Sequence, residues 1–394
     1  MTAAARAAAP PLRSPGWALM FGNFVIGCGV MSAAGTLNDL ARSLSVSVAL
    51  AGQLITISAI TMGVGAPVLA GWVAGFDRRR LLGAALLWYA AGHALSALMP
   101  SYAALWPVRA ATMLAAAVFT PQAAAAIGFM APPAERGRAI TFVFLGWSLA
   151  SVVGLPLSAW IGETYGWSVM FDVIAVLSLL AAAWVFAALP DGVRPAALSL
   201  RAWKTVLTHP VLMAMVAVTA LSGAAQFTLF SYVTPYFKHV LGASTGETAL
   251  LLMWFGAFGL VGNLVLTSVI DRIGVETSVT VTMVLMALSL LLWPLGGGLI
   301  GVAIVIVPWA LGCFASNSAQ QARLSQAAPV LAPALMALNS SAIYLGQAVG
   351  AGSGGWLIAQ GGYGPLSWVG LAWMLVAIGV SLWAARRVGS LTFA

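Results

Sequence analysis

Seventeen basic residues, nine acidic residues and three histidines carry nearly all the charge in this 394-residue chain. A few of them stand in apolar surroundings, where charge is costly. Asp39, His93 and Asp172 fall at or within apolar runs, so each is a candidate to take up and release a proton. Arg109 is the only full charge between residues 81 and 134 and could attract an anion. Asn23, Gln122, Gln226, Tyr232, Asn317, Tyr344 and Gln347 are uncharged hydrogen-bonding groups in similar runs, with Phe227, Phe230, Tyr236, Trp254 and Trp309 interleaved. Such a set gives a small organic molecule polar contacts and apolar walls, although part of it would also serve helix packing. Hydrolytic chemistry has no support. There is no H-E-x-x-H, the histidines are His93, His209 and His239 alone, and Ser353 in "AGSGG" lacks the nucleophile spacing. No enzyme activity, metal or cofactor is expected.

The elements that must position these residues are membrane helices. The chain is 61% hydrophobic and 7% charged, against roughly a quarter charged in a soluble domain. A net charge of +8 then reads as loop charge rather than as affinity for nucleic acid. Cys28 and Cys313 lie inside apolar runs and read as buried free thiols. About 20 apolar residues cross ~30 Å of hydrocarbon, and on that measure the runs divide into twelve spans. The division is a cytoplasmic tail over 1–14, six spans within 15–189, a polar linker at 190–210, six spans within 211–386, and a tail over 387–394. The linker's "LRAWKTVL" reads as a short interfacial helix. The fold class is therefore an all-α polytopic membrane protein of twelve helices, a monomer whose partners are the lipid bilayer and a small-molecule substrate.

Sidedness follows from the basic residues. With the N-terminus in the cytoplasm, cytoplasmic segments hold fourteen of them, including Arg78, Arg79, Arg80, Arg194, Lys204, Arg272 and Arg323. Outer loops hold only Arg42 and Lys238, so both termini are expected inside. Arg323 reads as a snorkelling or loop residue, and Asp39 and Arg42 as a possible local pair.

"LGWSLASVVG" at 145–154 recurs in outline as "LGQAVGAGSG" at 345–354, with Gly146, Gly154 and Gly162 each matched 200 residues later. Together with six spans on each side of one linker, this predicts two pseudo-symmetric six-helix halves around a cavity. Gly146, Gly154 and Gly162 lie eight apart on one stripe of span five. Their expected use is a sliding contact between the halves, with Pro156 bending the helix.

The stretch "APPAERGRAITFVFLGWSLASVVGLPLSAWIGETYGWSVMF", 131–171, resembles the loop after span four and the antiporter motif of the major facilitator superfamily, in its arabinose-efflux and drug:proton antiporter branch. "PSYAALWPVRA" resembles the start of that branch's fourth helix, and "RRRLL" the basic end of its loop signature between spans two and three. The resemblance implies export of a small organic molecule across a bacterial inner membrane by alternating access, in exchange for protons. It also implies gating roles for Asp77, Arg78, Arg79, Arg138, Gly146, Gly154, Pro156, Gly162, Asp271 and Arg272. This chain departs from the loop signature at Ala74, where the family has an acid, and places Glu276 where a basic residue is expected. Asp271–Arg272 should then carry more of the cytoplasmic closure, with Asp77 a local partner of the arginines. The spans that line the resembled cavity hold no central Asp, Glu or His, so the alternative is a uniporter or an importer of a small metabolite, an anion among the candidates.

Overall fold

The computed structural model describes residues 13–73, 75–132, 135–195 and 200–387, and they are overwhelmingly helical. The long helices of the first half are α1 (Arg13–Gly35), α3 (Val48–Trp72), α4 (Arg78–Ala97), α5 (Tyr102–Met130), the continuous α6 (Arg136–Leu149) and α7 (Leu155–Tyr165), and α8 (Trp167–Ala188); the short α2 (Leu37–Ser43) follows α1. A short α9 (Leu200–Thr208) leads into the second half, as the linker pattern predicts. There the long helices are α10 (Pro210–Phe230), α12 (Thr245–Ile273), α13 (Val275–Leu292), α14 (Leu299–Ala327), α15 (Ala332–Gly361) and α16 (Pro365–Ala385), with the short α11 (Val233–His239) after α10. Among the described residues, ten spans are long and apolar enough to cross a membrane by length and composition. α4, which opens on three arginines, and α15, which carries Asn, Ser and Gln, complete the twelve.

An even number of crossings brings Arg13 and Arg387 to the same end of the bundle, called here the terminal end; α2 and α11 lie at the far end. Within each half the inner helices pack through glycine. A Cβ on Gly146 of α6 would strike the Met20 carbonyl of α1, and one on Gly346 of α15 would strike the Ala220 carbonyl of α10. Gly154 lies against Cys28 and Gly354 against Thr228. All four positions of the first half recur 200 residues later, so the sequence repeat is a repeat of packing.

These contacts correct one expectation. The Gly146–Gly154–Gly162 stripe meets Met20, Cys28 and Thr36 of its own half, not the other half. A period of eight keeps small residues on one helix face, but only docking decides which neighbour takes that face. The helix before Pro156 also has a particular form. Residues Ala150–Gly154 make a π turn, in which the Leu155 N–H reaches back five residues to the Ala150 carbonyl. Pro156 has no N–H to donate, and the extra residue in the turn absorbs that loss.

Candidate substrate pathway between the halves

At the far end the halves are fastened together. Glu163, next to last but one in α7, accepts from Lys238 of α11 at 2.5 Å, and Arg42 lies 3.9 Å from the same carboxylate. Thr234 donates to the Ala34 carbonyl at 2.8 Å, another pair of positions 200 apart. Tyr232 is fully buried and donates to the Ala351 carbonyl at 2.8 Å, its ring wedged against Gly52, Gly354 and Gly355. Behind this seam Asp39 accepts from the Trp167 N–H at 2.7 Å, capping α8, and from Arg42 at 2.5 Å. That hydrogen bond raises the Arg42 pKa.

At the terminal end the described ion pairs do not cross between the halves. Asp77 caps α4 by accepting from the Arg80 N–H at 3.3 Å and also accepts from the Gly192 N–H at 2.5 Å. It is buried, not the exposed partner of arginines that the sequence suggests. Arg79 instead pairs with Asp191 at 2.8 Å and donates to the Phe186 carbonyl, and Arg78 donates to the carbonyls of Val73 and Phe76. Arg323 corrects a second expectation. It is not a loop residue but is buried, donating to Glu276 at 2.9 Å and to the Ser381 hydroxyl at 3.0 Å. Glu276, which stands where the family has a base, thus finds its base 47 positions away. Arg272 is exposed; Ala74 and the side chains of Arg138 and Asp271 lie outside the described residues. Among the described residues, the ion pair and the side-chain hydrogen bond that join the halves both lie at the far end.

Between these ends, Arg109 is withdrawn into the first half. It is completely buried and donates to the Ser58 hydroxyl at 3.1 Å, to His93 Nε2 at 3.1 Å and to the Gly29 carbonyl at 2.7 Å, with Phe171 5.4 Å from its guanidinium. His93 Nδ1 lies 2.9 Å from the Tyr89 carbonyl, which can only accept. Nδ1 therefore carries the proton, Nε2 accepts from Arg109, and the neutral imidazole has no free valence. The expected attraction of an anion by Arg109 meets no exposed guanidinium. Asp172 is exposed on α8, and Asp39 is committed to its cap.

The uncharged candidates separate into two groups. Asn23 is buried within the first half, donating to the Val143 carbonyl and accepting from Thr120; Gln122 is buried on α5, and Tyr232 closes the far-end seam. Gln226, Asn317, Tyr344 and Gln347 instead lie on α10, α14 and α15 of the second half. Tyr344 packs against Trp147 of α6 in the other half, ring centroids 6.5 Å apart, and Gln226 accepts from the Trp309 indole at 3.2 Å. The sequence reading missed Glu163, Lys238 and Trp147. Glu163 lay in plain view inside "GETYGW", but nothing local shows that a charge at a helix end has a partner in the other half.

Twelve helices in two glycine-packed halves, fastened to each other at one end, define a membrane carrier. The model of the Major Facilitator Superfamily matches residues 19–332, and the chain belongs to that family. It is 30% identical to the inner membrane transport protein YdhP of Escherichia coli (strain K12), over 87% of this chain and 88% of that one. It is 28% identical to the uncharacterized MFS-type transporter YbcL of Bacillus subtilis (strain 168), over 91% and 93%. Among solved structures, the partially occluded inward open conformation of the xylose transporter XylE from E. coli superposes with a TM-score of 0.75 at 17% identity, over 98% of this chain and all of that one. Membrane transport by a protein of this family is therefore the established function class.

Proposed function

We propose that the chain is a monomeric secondary transporter that exports a small organic molecule by alternating access, in exchange for protons, across a bacterial inner membrane. In this reading residues 15–189 and 211–386 are the rocking halves, and 190–210 is the cytoplasmic linker between them. The terminal end faces the cytoplasm, where Arg78, Arg79, Arg80, Arg194, Lys204 and Arg272 lie; Arg42 and Lys238 alone mark the outside. The similarity to YdhP, an inner membrane transport protein, supports the location.

The observation that carries alternating access is the one-sided seam. Lys238–Glu163 and Thr234–Ala34 tie the outer ends together, while the described ion pairs of the terminal end, Arg79–Asp191 and Arg323–Glu276, do not cross from one half to the other. This is the arrangement of an inward-open carrier. In the outward-open state Arg78, Arg79, Arg138, Asp271 and Arg272 would take over closure at the cytoplasmic face, with Asp77 holding its loop in place. Val152 of the π turn meets Gly256 of α12 across the halves, and in this reading that contact is where the halves move against each other.

A second reading, uniport or import, is favoured by one feature: Asp39 and His93 are both locked into hydrogen bonds and Asp172 is exposed on α8. Purified protein in liposomes separates the two. A substrate-loaded vesicle with an imposed pH gradient should show accumulation against the substrate gradient if protons are exchanged. Counterflow without any response to the pH gradient would establish the uniporter instead.

A further inference from the structure

We propose that the gap between the halves takes uncharged, flat, partly aromatic molecules bearing amide or hydroxyl groups, and rejects permanent anions and cations. This names the substrate class for the transport reading above and rests on it.

The lining follows from which faces are already occupied. On α10, Ala220, Ala224 and Thr228 meet the glycines of α15, while Gln226 reaches α14 through Trp309. At about 100° per residue, the face between those two lines carries Phe227 and Phe230 and turns toward the other half. On α14, Gln320 reaches the Met215 carbonyl of α10 at 2.5 Å, and Phe314 lies against Gly259 of α12. Asn317 lies between those directions and is exposed. On α15, Gly346, Gly350 and Gly354 meet α10, while Leu345 and Gly352 meet Gly63 and Thr56 of α3. The remaining face presents Tyr344 and Gln347, with Trp147 opposite.

Every ionised side chain described near this gap is committed elsewhere. Arg109 is spent on Ser58, His93 and Gly29, Arg323 on Glu276 and Ser381, and Glu163 on Lys238. A charged molecule would give up its hydration here and meet no free counter-charge among the described residues. Aromatic faces attract cations, but without a carboxylate they do not replace a hydration shell.

A neutral molecule loses far less and finds open valences. Gln226 uses one N–H on the Ser222 carbonyl and one lone pair on Trp309, which leaves an N–H and a lone pair. Asn317 accepts from Gln321 at 3.4 Å, so its own amide N–H groups are available to donate. Phe227 and Phe230 pack edge to face at 5.7 Å, and Phe230 lies 5.9 Å from Trp309, forming a wall suited to a planar ring.

The test uses three probes on one two-ring aromatic scaffold: a primary carboxamide, the matching methylammonium and the matching carboxylate. Calorimetric titration of purified protein in detergent should show the carboxamide binding at least tenfold more tightly than either charged analogue. Gln226→Leu and Asn317→Leu should each weaken carboxamide binding at least fivefold. Asn317 is exposed, so its variant keeps the test valid if loss of the Trp309 partner unfolds the other. Tighter binding of a charged analogue, no binding of any probe, or unchanged affinity in Asn317→Leu would overturn the proposal. Carboxamide binding without counterflow in liposomes would uphold the site and sink the transport reading, so the two failures are distinguishable.

Discussion

Glu163 and Lys238, 75 positions apart, meet at 2.5 Å across the seam between the halves and form the ion pair that bridges them at the far end. The Glu163 side chain is 11% exposed and Lys238 35%, so the pair lies between a surface bridge and a buried one. Breaking it should cost the closed seam on the order of 1–2 kcal/mol, about a tenfold shift in population. In Glu163→Gln, spin labels at the far ends of α3 and α15 should move to longer distances. Exchanging the pair as Glu163→Lys with Lys238→Glu should restore the short distance, since Arg42 lies farther away at 3.9 Å. If the exchanged protein stays as open as the single variant, the pair is not the fastener.

Glycine substitutions should separate packing from gating. Gly154 touches Cys28 within its half, so Gly154→Leu should lower thermal stability by about 1–3 kcal/mol while leaving the seam closed in whatever folds. Gly256 meets Val152 of the other half, so Gly256→Leu should hold the far end open and stop transport in a stable protein. Melting curves beside label distances would decide. A Gly154→Leu protein with normal melting and an open seam would restore the sliding role to the stripe.

Removing Arg109 should act on folding. Arg109→Gln would strand the Gly29 carbonyl and His93 Nε2 in a dry interior, at roughly 2–4 kcal/mol in total. Folded yield and melting temperature should fall, whereas the affinity of the folded fraction for a neutral ligand should change less than threefold. A stable variant with lost affinity would put Arg109 in the binding site after all.

The second half offers a cleaner pair. Arg323→Met alone leaves Glu276 without its base and should destabilise the protein by about 3 kcal/mol, whereas Arg323→Met with Glu276→Met should recover most of that loss. Thermal melting of the two variants checks it. Equal melting would mean that the lost contacts to Ser381, not the ion pair, set the cost.

The sequence by itself determined the number of spans, the two halves and the 200-residue repeat, because hydropathy is a property of each segment against lipid and needs no partner. Arg78, Arg79 and Arg80 could likewise be placed at one end by charge alone. Four candidates for ligand contact, Gln226, Asn317, Tyr344 and Gln347, were legible as polar residues in apolar runs. Tertiary structure decided the rest. The stripe at Gly154 turned out to face Cys28, Arg323 found Glu276, His93 became the acceptor for Arg109, and Glu163 reached Lys238. Inside a bilayer lipid is as apolar as leucine, so the hydrophobic pattern of a span does not say which neighbour takes which face. That choice is made by close backbone approach at glycine and by polar groups that must find partners away from water. Both depend on residues dozens of positions apart meeting only once the helices have docked.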